Sequence, residues 1–349
     1  MTHLLRERLQ RRADFLAAIR AFFAARGVIE ADTAQLRACG VTDPQLVPLA
    51  ADGGYLQTSP EYALKILLAA GAGDLYQLAH VFRGEEEGRK HRREFMLLEW
   101  YRCGYDHLRL MDEVTALVHA LLPTSRDRLV RRTPYPALFR DRFGIDIHHA
   151  DDAAIRSLAT AHIPESAAWP LTRDAMLDLL YSHYIEPQLG RGALEYICDY
   201  PPSQAALARI IENADGEAVA ARFELYIDGM ELCNGFWELA DAAEQRARFL
   251  ADNRARVQAG LPQIPLDEDF LAALAHGLPD CAGVALGVDR LLMLASGAAH
   301  IEEVMPPERL CKRLSRADDA TPLPHRNISS ARSGGEREPP GGNLRSSRM

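Results

Sequence analysis

The chain holds no C-x-x-C pair: its six cysteines, at 39, 103, 198, 233, 281 and 311, are scattered. That spacing argues against a disulfide framework or a cysteine-bound zinc, and makes a reducing cytoplasmic compartment the expectation. Long apolar runs are missing too, since none approaches the roughly 18–20 residues that cross a bilayer. The start, Met1-Thr2-His3-Leu4-Leu5-Arg6, lacks the apolar core of a signal peptide. No membrane partner is therefore expected.

Positive charge is scarce over most of the length. Residues 306–349 carry 9 Lys/Arg and 5 Asp/Glu, which leaves 31 and 44 in residues 1–305, a net of −13. An acidic body argues against broad phosphate-backbone contact, so tRNA is not an expected partner. It suits cationic ligands or a basic protein partner. What is present in quantity is apolar surface, 48% of 349 residues, enough to fill a large core.

Apolar spacing at Leu5, Leu9, Ile19, Phe22 and Phe23 predicts a helix over residues 4–26, stopped by Gly27. Residues 28–33 predict a short strand. Ser59-Pro60-Glu61 reads as a helix start, with Ser59 as N-cap and Pro60 at the first helical position. Residues 75–82 and 94–102 predict strands around a charged loop, 106–122 a helix, and 123–190 a mostly helical connector. A strand at 194–200 follows, then a hairpin of 221–227 and 230–235 around Asp228-Gly229. Helices are expected near 241–259, 267–276 and 288–296. The pattern predicts an α+β domain over residues 1–305, with a mainly antiparallel sheet flanked by helices. From Pro306 onward the composition turns to Pro, Gly, Ser and Arg, which predicts a disordered tail without a catalytic role.

Three segments concentrate chemistry. Phe82-Arg83-Gly84-Glu85, a polar loop, and His91-Arg92-Arg93-Glu94-Phe95 leading into Glu99-Trp100-Tyr101 place an arginine, carboxylates, a histidine and aromatics on one hairpin-like unit. Such groups suit a bent nucleoside triphosphate beside a cationic amino acid. Alternation puts Phe95, Leu97, Glu99 and Tyr101 on one face of their strand. In the second hairpin, residue 226 should oppose 231, so Glu224 and Glu231 share a face. Paired carboxylates repel unless a cation separates them, and hard oxygen ligands suit Mg2+. Glu238 has the wrong parity for that face unless Asn234-Gly235 forms a bulge. The third segment, Gly283-Val284-Ala285-Leu286-Gly287-Val288-Asp289-Arg290, allows close backbone approach and sets an arginine at a helix start.

Thr58-Ser59-Pro60-Glu61, Phe82-Arg83-x-Glu85, Glu94-Phe95-Met96 with Glu99-x-Tyr101, Glu231-x-x-Asn234-Gly235-Phe236-x-Glu238-Leu239 and Gly287-Val288-Asp289-Arg290 occur in this order. Together they resemble the catalytic core of a class II aminoacyl-tRNA synthetase of the lysyl type. Arg26-Gly27-Val28-Ile29-Glu30, Leu98-Glu99-Trp100-Tyr101-Arg102 and Pro279-Asp280-Cys281-x-Gly283 are similar to the elongation factor P–lysine ligase family, which is that core without tRNA-reading parts. A lysyl-tRNA synthetase carries an N-terminal anticodon-binding barrel. Here the first core helix is expected close to residue 1, which favours the ligase.

The resemblance implies an ATP site with Arg83 on the α-phosphate, Glu85 on the adenine edge, His91 near the γ-phosphate and Phe95 stacked on the base. Arg290 would clamp phosphate with the backbone of Gly287 and Leu232, and Glu224 and Glu231 would hold Mg2+. The Ser59-Pro60-Glu61 segment would border the amino acid, with Glu61 and Glu99 at its backbone-side ammonium. Glu238 and Tyr101 would face its ε-ammonium and Asn234 its carboxylate. Ala285, where lysyl-tRNA synthetases have glycine, would favour (R)-β-lysine over lysine.

The implied acceptor is a lysine of elongation factor P, and the implied assembly a homodimer. Departures from the pattern are Ala34 in place of a proline, Arg92-Arg93 in place of Asn-Pro in the nucleotide loop, and the tail. Arg92 is accordingly a candidate phosphate contact. A truncated synthetase paralogue that charges tRNA, or an inactive synthetase-like binding protein, are the competing expectations.

Overall fold

A nine-stranded sheet forms the spine of the unit Met1–Pro306. The computed structural model describes residues 2–84 and 86–307, so Glu85 and the tail from residue 308 lie outside the described residues. The strands are β1 (Ile29–Glu30), β2 (Leu75–Phe82), β3 (Glu94–Cys103), β4 (Leu129–Pro134) and β5 (Ala193–Tyr200), then β6 (Ile210–Glu212), β7 (Ala218–Ile227), β8 (Met230–Trp237) and β9 (Cys281–Gly287). Their order is β1-β2-β3-β9-β8-β7-β5-β4, with β6 beside β7. The central pairs are antiparallel, and the edge pairs β1/β2 and β4/β5 are parallel.

The sequence reading of 123–190 as mostly helical misses β4. That strand pairs on one side only and is exposed along most of its length, so it lacks the alternating burial that marks a strand. The rest of the connector is helical: α4 (Tyr135–Phe143), α5 (Asp152–His162) and α6 (Arg173–Leu180). The remaining helices are α1 (Thr2–Ala24), α2 (Glu61–Ala69), α3 (His107–Leu121), α7 (Ala242–Gln258), α8 (Glu268–Gly277) and α9 (Val288–Ser296). Aspartates start several of them. Asp106, Asp151, Asp241 and Asp267 each accept a backbone N–H of the first turn.

Strand alternation then decides which residues line the core. Leu98 and Trp100 of β3, Val284 and Leu286 of β9, and Phe223 and Leu225 of β7 pack with Phe15, Ile19 and Phe23 of α1, Val114 and Leu117 of α3, and Leu291 of α9. The opposite face is flanked at one end by α2 and α8, through Tyr62, Leu64, Phe270 and Leu271. At the other end α4–α6 meet it through Tyr135, Phe139 and Leu180. Polar side chains fill the interval between those helix groups.

The buried Asp289 ties three elements together. It receives Arg12 Nη1 of α1 at 2.5 Å and the backbone N–H of Met96 at 2.7 Å. Removing one partner leaves a buried charge uncompensated, so Arg12→Met should destabilise the fold by about 3–5 kcal/mol. Urea unfolding of the variant measures this, and a loss below about 1 kcal/mol would contradict the role.

Candidate active site

Two local features bring the polar side chains to one face. Asp228 and Gly229 both have positive φ, 51° and 69°, the backbone a two-residue hairpin turn needs, so Ile227 pairs with Met230 and Tyr226 with Glu231 as expected. The register then slips. Leu225 pairs with Cys233 and Glu224 with Asn234, so Leu232 is an extra residue bulged out of the ladder. The bulge considered at Asn234-Gly235 is therefore corrected to Leu232, two residues before Asn234 and closer to the turn. Because side chains alternate, that one insertion puts Glu231 and Asn234 on the same face and extends it to Glu238.

Across the sheet this produces a continuous row. Glu224 pairs with Asn234, Asn234 with Ala285, Ala285 with Glu99 and Glu99 with Gln77. The next row runs Phe236, Gly283, Tyr101. At Gly283 a Cβ would lie 2.2 Å from the Tyr101 ring and 2.5 Å from Glu238 Oε1, so only glycine lets both side chains lie over the strand.

Beside the row opens a cavity of about 240 Å3, lined by Arg83, Lys90, His91, Arg92 and Arg290, by Phe95, and by Glu231, Leu232, Asn234, Ala285 and Gly287. The Arg83 guanidinium lies over the Phe95 ring at 5.2 Å and donates to Glu86 at 3.0 Å. Arg290 donates to the Glu231 carbonyl at 2.9 Å and lies 3.4 Å from its carboxylate. Arg92 pairs with Glu302 at 2.7 Å. Burial and the nearby Arg290 lower the pKa of His91, favouring neutral imidazole. Glu85 cannot be placed, being outside the described residues.

Glu224 is held from three sides. Tyr200 and Tyr226 donate to its Oε2 at 2.7 and 2.8 Å, and Arg222 to Oε1 at 2.6 Å. Glu231 is raised in pKa, first by burial and then by Glu224, which marks the two carboxylates as mutually repelling neighbours. Asn234 Oδ1 accepts weakly from Arg222, at 3.3 Å.

A second cluster of polar side chains, largely buried, lies toward α2. Glu99 is 2% exposed, accepting Tyr101 Oη at 2.7 Å on one oxygen and Ser59 Oγ on the other. Ser59 is not the N-cap read from the sequence: Pro60 holds that position, and Ser59, one residue out, accepts the Glu61 N–H at 3.1 Å while giving its own proton to Glu99. Lys65, unanticipated from sequence, sits 2.6 Å from Glu61 Oε1 and 2.6 Å from Glu238 Oε2. Its four-residue spacing from Glu61 was the available signal. Glu238 Oε1 has no partner although the residue is 1% exposed. Burial raises Glu238 to about 7 against the pull of Lys65. Burial and then Glu61 raise Glu99 to about 8, against its two hydroxyl hydrogen bonds.

The structure thus gathers cations around one cavity and a cluster of carboxylates with Lys65 beside it. The family model for class II tRNA synthetases (D, K and N) matches residues 1–307. Curated proteins named elongation factor P–(R)-beta-lysine ligase from Yersinia enterocolitica and Edwardsiella ictaluri are each 46% identical over 308 residues, covering 85% of this chain and 93% of their own length. One from Pectobacterium carotovorum is 45% identical over the same span.

An ammonium that meets Glu99 must displace the proton this group holds near neutrality. Affinity for a lysine-type ligand should therefore increase as pH rises from 6 to 8, by up to about tenfold per unit, and level off above. Calorimetric titration across that range should also show proton release on binding. A flat profile in the wild type, or an unchanged one in Glu99→Gln, would contradict the assignment.

Proposed function

The chain belongs to the class II tRNA synthetases, and from that membership we propose that it is an ATP-dependent ligase. It activates a lysine-type amino acid, (R)-β-lysine in preference to lysine, as the adenylate, and passes it to a lysine side chain of elongation factor P. The observation that carries this reading is the charge pattern of the sheet face. Arginines and a histidine line one cavity, and the carboxylates of the buried Glu99 and Glu238 and the half-buried Glu61 converge beside it. A triphosphate and a diamine are the complementary pair.

In this assignment Arg83 binds the α-phosphate and opposes the charge that grows there as the amino-acid carboxylate attacks phosphorus and pyrophosphate leaves. Arg290 clamps the departing phosphates, aided by His91, Arg92 and the backbone at Gly287 and Leu232. Phe95 stacks on the base. Asn234 orients the carboxylate, Glu61 and Glu99 take the ammonium nearest it, and Glu238 takes the distal ammonium. In the second half-reaction an uncharged lysine amine of the acceptor attacks the mixed anhydride, AMP leaves, and one proton is lost. Ala285 lies between Asn234 and Glu99, where one methyl shifts the carboxylate end relative to the ammonium and suits the displaced amine of β-lysine.

Glu224 and Glu231 fit a divalent cation. They share a face, Glu224 adds to the burial that raises the proton affinity of Glu231, and Glu231 has a loose contact to Arg290. Mg2+ held there would neutralise phosphate charge. Tyr200, Tyr226 and Arg222 orient Glu224 for it.

Among the described residues no helix is long and apolar enough to cross a membrane, and five cysteines are free. Both are in keeping with a cytoplasmic enzyme, and we place it there as a homodimer. The net −13 of residues 1–305 favours a protein acceptor over RNA.

Incubation with ATP, (R)-β-lysine and elongation factor P should add the mass of one β-lysyl group to the factor. Label entering tRNA instead would overturn the reading. ATP–pyrophosphate exchange should run faster with (R)-β-lysine than with L-lysine, the reverse order contradicting the role of Ala285. Arg83→Ala should lower exchange by roughly 10²–10³-fold with an unchanged melting temperature. Near-wild-type exchange would remove Arg83 from the mechanism.

A further inference from the structure

Lys65 is a charged component of the carboxylate cluster to which the mechanism above gives no task. Its ammonium is 1% exposed and lies 2.6 Å from both Glu61 Oε1 and Glu238 Oε2, with the Phe270 ring 5.9 Å away. A self-contained buried ion pair would balance its charges, because an uncompensated buried charge is costly. This pocket does not. Three carboxylates, Glu61, Glu99 and Glu238, face one lysine, so their full ionisation leaves two negative charges over. The surplus is localised. Glu99 is bonded by Ser59 and Tyr101, whereas Glu238 Oε1 is buried, unpartnered, and directed over Gly283.

We infer that Lys65 is the specificity-determining counter-ion of the amino-acid pocket. By occupying Glu61 and one oxygen of Glu238, it turns the other oxygen toward the site and fixes the depth at which a distal ammonium is received. This rests on the amino-acid-activation reading and extends it to substrate length. Glu238 is faced by Lys65 and Glu61 from α2, by Tyr101 from β3, by Cys281 from β9, and by Arg209, whose Nε donates to the Glu238 carbonyl at 3.1 Å. Lys65 is the cation at its carboxylate. Without it Glu238 would keep its proton through neutral pH, and the ammonium would lose its partner. With it, a diamino acid one methylene shorter than lysine stops short of Oε1, which disfavours it by roughly 10–200-fold.

The test is pyrophosphate exchange with (R)-β-lysine, L-lysine and L-ornithine in the wild type, Lys65→Met and Lys65→Arg from pH 6.5 to 9. In Lys65→Met, the amino-acid KM at pH 7 should rise about tenfold or more and recover as Glu238 ionises near pH 9. The KM for ATP should stay within about twofold, because the nucleotide cavity is not lined by Lys65. Lys65→Arg keeps the charge in a longer side chain. It should hold the wild-type pH profile while its preference for lysine over ornithine falls about tenfold.

A pH-independent loss in Lys65→Met, or equal changes in the KM of both substrates, assigns Lys65 a structural role and overturns the inference alone. Should Lys65→Met fail to fold, the Arg variant decides: unchanged length preference overturns the inference, and relaxed preference supports it. A wild type that exchanges pyrophosphate with none of these amino acids overturns the ligase reading and this inference with it.

Discussion

The single extra residue at Leu232 is the constraint on which the site depends. In a regular hairpin Glu231 and Asn234 would point to opposite faces of the sheet, because side chains alternate with a period of two. The slip between Tyr226–Glu231 and Leu225–Cys233 cancels that alternation once. Glu231 shares the face of Glu224 through its pairing with Tyr226 on the turn side of the slip. Beyond the slip Asn234 and Glu238 join that face, which also carries Glu99 and Tyr101. A bulge costs ladder regularity, and the surrounding pairings hold it: β8 pairs with β7 on both sides of the slip and with β9 from Cys233 to Trp237.

Once those side chains share a face, electrostatics divides it. Arginines 83 and 290 with Arg92 lie around the cavity reached from the loop between β2 and β3, while the carboxylates cluster under α2. Burial first, and like charges after it, raise the pKa of Glu99 and Glu238 and lower that of His91. A ligand pair bearing phosphates at one end and ammoniums at the other relieves both. The hydrophobic packing of Trp100, Leu98, Val284 and Leu286 against α1, α3 and α9 keeps the sheet from relaxing to separate those charges.

Much of this was legible in the residues. The alternation in β3 separates Leu98 and Trp100 from Glu99 and Tyr101, and Asp228-Gly229 announces its turn. The order of motifs identifies the family, now matched over residues 1–307. Less visible were contacts made by residues with ordinary surface signatures. Lys65 reads as a helix-face lysine, Tyr200 and Arg222 as strand residues, and Leu129–Pro134 as part of a helical connector. Their roles come from neighbours more than a hundred positions away in sequence for Lys65 with Glu238, and from a sheet edge that pairs on one side only for the missed strand.

The sequence by itself determined the periodicities, the turn and the stock of charged groups, because each is a local property of a few adjacent residues. Only the tertiary structure decided where the ladder slips and which carboxylate keeps an empty oxygen. It also decided that an internal lysine stands among the acids. The physical reason is that register and burial are set by the summed packing of whole strands and helices, which no short window of residues contains.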